Sequence, residues 1–326
     1  MKYSRSAITQ LTRWYKQVLI KCAILNAAIM AGTFGAPAVA DATEINQSGV
    51  PFKTVTDIAH APDSNIWNIS TTTTNGAGTV GLNTFGKFNV SEGDTANLNL
   101  INKQNKLVNL VFDSSASQIN GIVNSYKNGK IGGDVLFANP NGFVVGKTGV
   151  FNVGSLTLLT PTEDTMKKVF KDNAVVEDNL NALVSFNMGG TDYLLLGGEE
   201  TDIELNPAEI SIDGTINSGA GITIANGGKE ININNGAELN ANMGFKVSGG
   251  NVTATKKQNV KPTSGERTTK TDIYGRTTTS IEYKLAMDGG NGVAIISKNQ
   301  GENDDYLAAI VNLNGKVDAN GSDVIA

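Results

Sequence analysis

Apolar residues in this chain come in very short runs, and the runs are broken by turns more often than a hairpin sheet requires. The densest case lies between Asp134 and Pro161. Val135, Leu136 and Phe137 form one run, Phe143, Val144 and Val145 a second, Val150, Phe151 and Val153 a third, and Leu156, Leu158 and Leu159 a fourth. The first break, Asn139-Pro140-Asn141-Gly142, has a suitable residue at every β-turn position: Asn at i, Pro presetting φ at i+1, Asn at i+2 and Gly at i+3. Gly146 to Gly149 and Asn152-Val153-Gly154 turn the chain again. Strands this short, turned this often, predict a coil of stacked strands, a parallel β-helix.

The pattern extends in both directions. Upstream, Phe85, Phe88 and Val90, then Leu98, Leu100 and Ile101, alternate with polar residues as half-buried strands do. Val108 to Phe112 predicts a more deeply buried strand. Ile119, Ile122 and Val123 begin another turn of the coil, punctuated by Asn128-Gly129 and Gly132-Gly133. Downstream, Ile210-Ser211-Ile212-Asp213-Gly214-Thr215-Ile216 is echoed by Ile231, Ile233, Gly236 and Leu239, 21 to 23 residues on, and again by Val311 to Val317. That spacing is one rung, with residues i and i+2 pointing inward.

Three segments depart from the rung pattern. Ala42 to Thr74 is irregular and is expected to cap the start of the coil, because a bare end would expose strand edges and core. Thr160-Pro161-Thr162-Glu163 fits a capping box with Pro at N1, and Met166, Val169 and Phe170 share one face. A single helix of about ten residues, outside the coil or over an edge, is expected there; Val175 to Val184 fits either its continuation or a strand. Ala254 to Lys284, rich in Thr and Lys, is expected to be an extruded insertion, with Thr277 to Tyr283 as the returning strand of a hairpin; a disordered loop is the alternative. Asp318 to Ala326 ends within a rung-like pattern, so the chain is expected to continue into a longer protein.

Composition changes the picture at the N-terminus. Residues 1–40 hold five basic residues and no acid, an apolar stretch from Cys22 to Phe34, and Ala38-Val39-Ala40 as a cleavage site. This predicts a secretory signal peptide with the exported chain starting at Asp41. The apolar stretch is 13 residues long, whereas a membrane span needs ~20. Without residues 1–40 the chain has 21 basic and 31 acidic residues and no cysteine. That acidity argues against nucleic acid and anionic membrane surfaces as partners. The exported chain cannot form a disulfide. It holds 37 Asn and 35 Gly, both tolerant of left-handed backbone and so suited to frequent turns.

Candidate chemistry is sparse. His60, the only histidine, sits in a loop-like Ala59-His60-Ala61-Pro62 and is expected to face solvent. Asp304-Asp305 and Glu199-Glu200 read as solvated loop pairs. A β-helical polysaccharide-cleaving enzyme would need clustered carboxylates, with a cation or an arginine beside them. Here Arg267 and Arg276, the only arginines after residue 40, are confined to the insertion.

The run LFANPNGFVVGKTGVFNVGSLTLLT closely resembles the heart of the two-partner secretion (TPS) domain, also called the filamentous-haemagglutinin N-terminal or haemagglutination-activity domain. The matching motifs are Leu136-Phe137, Asn139 to Gly142, Val145-Gly146, Asn152-Val153-Gly154 and Leu156 to Thr160. Asn83-Thr84-Phe85 with Phe88-Asn89-Val90, and Ser117 to Gly121, extend the resemblance, which covers roughly Ile45 to Ala241. It implies an all-β fold, a right-handed parallel β-helix with N-terminal capping strands and the extruded hairpin-like insertion at about 254–284, over residues 41–326. It implies a secretion module of a Gram-negative-type envelope, secreted to the cell surface. Its partner would be a cognate outer-membrane β-barrel transporter, whose periplasmic domains recognise the unfolded chain. Asn139, Pro140, Asn141, Gly142, Asn152 and Gly154 are the residues of this motif expected to serve turn formation and transporter recognition. An adhesin or haemagglutinin with host-cell or glycan receptors is the implied outcome, a cytolysin the alternative. No cofactor, metal or catalytic residue is implied. Removing the Asn139 amide is expected to cost at most ~1 kcal/mol if it only caps the local backbone.

Overall fold

A computed structural model describes residues 42–49, 51–184, 204–260, 266–271, 273–282, 285–297 and 310–326. The segment expected to be a signal peptide, its expected cleavage site, Glu199-Glu200 and Asp304-Asp305 lie outside the described residues. From Ala42 onward the chain winds into a coil with three faces. Face 1 stacks Glu44–Gln47, Val80–Asn89, Lys106–Val111, Asp134–Ala138, Ser155–Leu159, Ile222–Asn226, Val293–Ser297 and Val324–Ile325. Face 2 stacks Ser117–Ile119, Phe143–Val145, Ile210–Ile212, Ile231–Ile233 and Val311–Leu313. Face 3 stacks Thr56–His60, Ile66–Thr71, Thr95–Leu100, Ile122–Lys127, Val150–Val153, Thr215–Ser218, Glu238–Asn240 and Lys316–Asp318.

The chain visits face 1, then 2, then 3, and returns, so successive rungs pair in parallel. The stretch Asp134–Leu159 is one full circuit plus the next strand of face 1, which is why its four apolar runs are so short. The repeat seen downstream is the true register: Ile210 pairs with Ile231 and Ile231 with Val311 on face 2, while Ile216 pairs with Leu239 and Leu239 with Val317 on face 3. Inside, these ladders merge into one core that includes Phe85, Phe88, Phe137, Phe143 and Phe151. Phe88 bridges Phe85 and Phe137 at 5.0 and 4.8 Å between ring centroids.

The start of the coil is capped by reversing strand direction. Glu44–Gln47 lies antiparallel on Val80–Asn89, and Thr56–His60 lies antiparallel on Ile66–Thr71. An antiparallel strand closes the edge without beginning another rung. His60 is therefore in a strand, not a loop; it is exposed and stacks on Trp67 at 3.8 Å.

Face 1 is apolar on both sides. In Lys106–Val111, Leu107 and Val111 point into the coil, while Val108 and Leu110 point out into a second cluster with Leu82, Leu136 and Leu159. The chain leaving Leu159 covers this outer side. Helix α1 (Glu163–Lys167) and helix α2 (Glu177–Val184) supply Met166, Leu180 and Leu183, all buried against it. Between them lies a small hairpin, Phe170–Lys171 with Ala174–Val175. This corrects the expected single helix of about ten residues. Thr162, not Thr160, is the N-cap, and its hydroxyl accepts from the Thr165 N–H at 3.2 Å. Pro161 instead bridges Leu205, so no capping box forms. The helical segment does sit outside the coil as expected, and Val175 to Val184 resolves mostly into a second helix.

After Glu238–Asn240 the chain leaves the coil and rejoins face 1 at Val293. It forms two antiparallel hairpins, Met243–Ser248 with Asn251–Lys256 and Glu266–Thr271 with Thr277–Glu282. The excursion thus starts before Ala254, and Thr277–Glu282 is the returning strand of the second hairpin. Leu285 and Met287 then pack on the outer cluster of face 1.

Candidate recognition site

Asn139 to Gly142 forms the corner between face 1 and face 2. The Gly142 N–H donates to the Asn139 carbonyl at 3.1 Å, closing the expected β-turn. The corner is clamped from both sides. In the rung before it, the Ser117 N–H donates to the Gly142 carbonyl at 3.1 Å; in the rung after it, the Phe143 N–H donates to the Glu209 carbonyl at 3.3 Å. Gly142 has φ +94°, and a Cβ there would lie 2.0 Å from the Glu209 carbonyl oxygen. Only glycine meets both demands.

The Asn139 side chain is 0 % exposed and fully used. Its Nδ2 donates to the Ser115 carbonyl at 3.1 Å and to Ser117 Oγ at 3.0 Å. Its Oδ1 accepts from the Asn141 N–H at 2.9 Å. Asn139 therefore ties two rungs together, which corrects the view of it as a local cap. Pro140 is buried, and its carbonyl accepts from Asn206 Nδ2 at 2.6 Å. Asn141 differs: it is exposed and makes one side-chain bond, Nδ2 to the Asp113 carbonyl at 2.7 Å. Asp113, Ser115, Ser117, Asn206 and Glu209 are all part of this corner; apart from Ser117, which opens a segment of the family resemblance, no pattern in the sequence points to them, because they lie one rung away.

Asn152 belongs to face 3, and Gly154 to the bend from face 3 back to face 1; neither is part of this corner. Gly154 sits where a Cβ would lie 2.4 Å from the Gly133 carbonyl oxygen, so its role is close approach between rungs. Asn152 is one step of an asparagine ladder. Asn68, Asn97, Asn124, Asn152, Asn217 and Asn240 stack in register on successive rungs. Each Nδ2 donates to the Oδ1 of the rung before it, at 3.0 to 3.2 Å. The next position in register is Asp318, a carboxylate without a donor. Lys256 donates to Asp318 Oδ2, and this bond holds the Asp318 pKa below the ordinary carboxylate value, aided by the Asn320 backbone N–H. Sequence reasoning missed the ladder. The signal was present as an apolar residue followed by Asn: Ala96-Asn97, Val123-Asn124, Phe151-Asn152, Ile216-Asn217 and Leu239-Asn240.

Among the described residues, no group of three or more His, Cys, Asp or Glu side chains is placed to hold a metal ion. The corner and the ladder offer amides and backbone, groups that bind other backbone. A family model for the TPS secretion domain matches residues 44–325. The chain belongs to the TPS secretion domain family. No curated protein matches it. TPS membership makes the chain part of a two-partner secretion exoprotein, with a cognate outer-membrane transporter as its partner. The matched span runs from the first capping strand to the last rung, so both hairpins and the helical cover lie within the TPS domain.

Proposed function

We propose that this TPS domain is recognised by the periplasmic domains of its transporter before it folds, and that Asn139 to Gly142 is part of what is read. The burial of the corner carries this reading. In the folded coil Asn139, Pro140 and Gly142 are sequestered, and every polar atom of the Asn139 side chain is already bonded. A partner can reach these groups only while the neighbouring rungs are still apart. Folding at the cell surface then hides the signal, so the exported chain does not rebind the transporter. Asn152, buried in the stack, and Gly154, half-buried between rungs, would be read in the same unfolded state.

The exported product is proposed to be the secretion module of an adhesin or haemagglutinin, taken through the inner membrane by a signal peptide at residues 1–40 and then through the outer membrane by the transporter. The resemblance to the filamentous-haemagglutinin N-terminal domain supports this. The test is expression with and without the cognate transporter. Folded domain is expected in the medium only when the transporter is present. Equal export without it would contradict the proposal.

A further inference from the structure

The second hairpin, Glu266–Thr271 with Thr277–Glu282, differs chemically from the rest of the chain. Its tip carries Ile273, 91 % exposed, and Tyr274, 77 % exposed. No other large hydrophobic among the described residues is as exposed as either. The Arg276 guanidinium lies over the Tyr274 ring, 5.4 Å from its centroid. The stretch from Ala254 to Lys284 holds seven basic and three acidic residues, in an exported chain that is acidic as a whole. Within the hairpin Arg267, Lys270 and Arg276 are balanced by Glu266, Asp272 and Glu282, so the basic surplus lies toward its base, below an apolar and aromatic tip.

We propose that this tip docks on an anionic lipid surface. Three observations favour a bilayer over a soluble anionic glycan or a protein pocket. An isoleucine at the end of a two-stranded arm has no role in gripping a sulfate or carboxylate, but it suits shallow insertion between acyl chains. Tyrosine and arginine are the side chains that settle at the headgroup level, one by its amphipathic ring and the other by pairing with phosphate. Lys270 and Arg276, each three residues from Ile273 in the sequence, match an anionic leaflet, whose field decays within about a Debye length and so acts mainly on charges near the tip. The overall acidity argues against a broad membrane-binding face; it does not bear on one extruded arm.

The experiment is co-sedimentation of the chain from Asp41 to Ala326 with vesicles of phosphatidylcholine alone or of phosphatidylcholine mixed with phosphatidylglycerol. The expected result is binding to the mixed vesicles only, weakened about tenfold or more by Ile273→Ser with Tyr274→Ser, and also by Arg276→Ala. Both variants change exposed tip residues, and unchanged thermal unfolding would confirm that the coil is intact. Added salt should weaken the wild-type binding. No binding to the mixed vesicles would overturn the proposal, as would equal binding by the tip variants. Retention on immobilised heparin without vesicle binding would overturn it in favour of an acidic glycan.

Discussion

Asn139 and Asn141 lie two positions apart in one turn and do different work. Asn139 is buried and bonds to Ser115, Ser117 and Asn141, whereas Asn141 is exposed with one side-chain bond. Removing the Asn139 amide strands buried partners, so Asn139→Ala is expected to cost about 2–3 kcal/mol. Asn141→Ala should cost less than ~1 kcal/mol, because the Asp113 carbonyl can turn to water. Denaturant midpoints at unchanged slope would check both. Gly142→Val meets a positive φ and the Glu209 carbonyl together, so a loss of at least ~2 kcal/mol is expected. The hydroxyl of Thr157 is the opposite case. It is buried without a hydrogen-bond partner, so Thr157→Val should be neutral or stabilising by up to ~1 kcal/mol in the same measurement.

At the scale of elements, the asparagine ladder and the outer cover of face 1 decide how rungs stay in register. A ladder of amides donating in one direction penalises a slip between any two rungs, because the slip breaks the amide bond that joins them. Asp318 ends the ladder with a carboxylate held at a depressed pKa by Lys256. A group whose pKa is lower in the folded state stabilises the fold above its ordinary pKa, and that contribution is lost as pH falls through the depressed value. The wild-type midpoint should therefore fall with acidification below about pH 4 slightly more than that of Asp318→Asn. Both partners are partly exposed, so the difference should stay under ~1 kcal/mol. Near neutral pH, Asp318→Asn should change stability little, since the new amide can donate to Asn240 as the other rungs do. The strands themselves were legible in the sequence, because Ile210 to Ile216 shows the period of two directly and Phe143 to Val145 is a short apolar run bounded by turns. The corner was legible because Asn139 to Gly142 is local turn chemistry. The ladder was not, because asparagine reads as a turn former until the rungs are aligned. The helix was misplaced by one turn signal: Thr160 and Pro161 look like a helix start, but Pro161 is held by Leu205 and Thr162 does the capping.

Across the whole molecule, the capping strands, the inner core and the outer cover make a coil in which each rung leans on its neighbours. Far-UV circular dichroism of the exported chain should accordingly be dominated by strand, with only a minor helical signal from α1 and α2. On the proposed reading this architecture gives the corner two states: open before the rungs close and, apart from the exposed Asn141, hidden after. That separation is the central claim, and it can be measured directly. The periplasmic domains of the cognate transporter would be immobilised and presented with the chain from Asp41 to Ala326, either folded or freshly diluted from denaturant. Binding to the unfolded chain is expected, weakened by Asn139→Ala and Asn141→Ala, with little binding to the folded coil. Equal binding to the folded coil, or binding to the unfolded chain that neither substitution changes, would contradict recognition of the open corner.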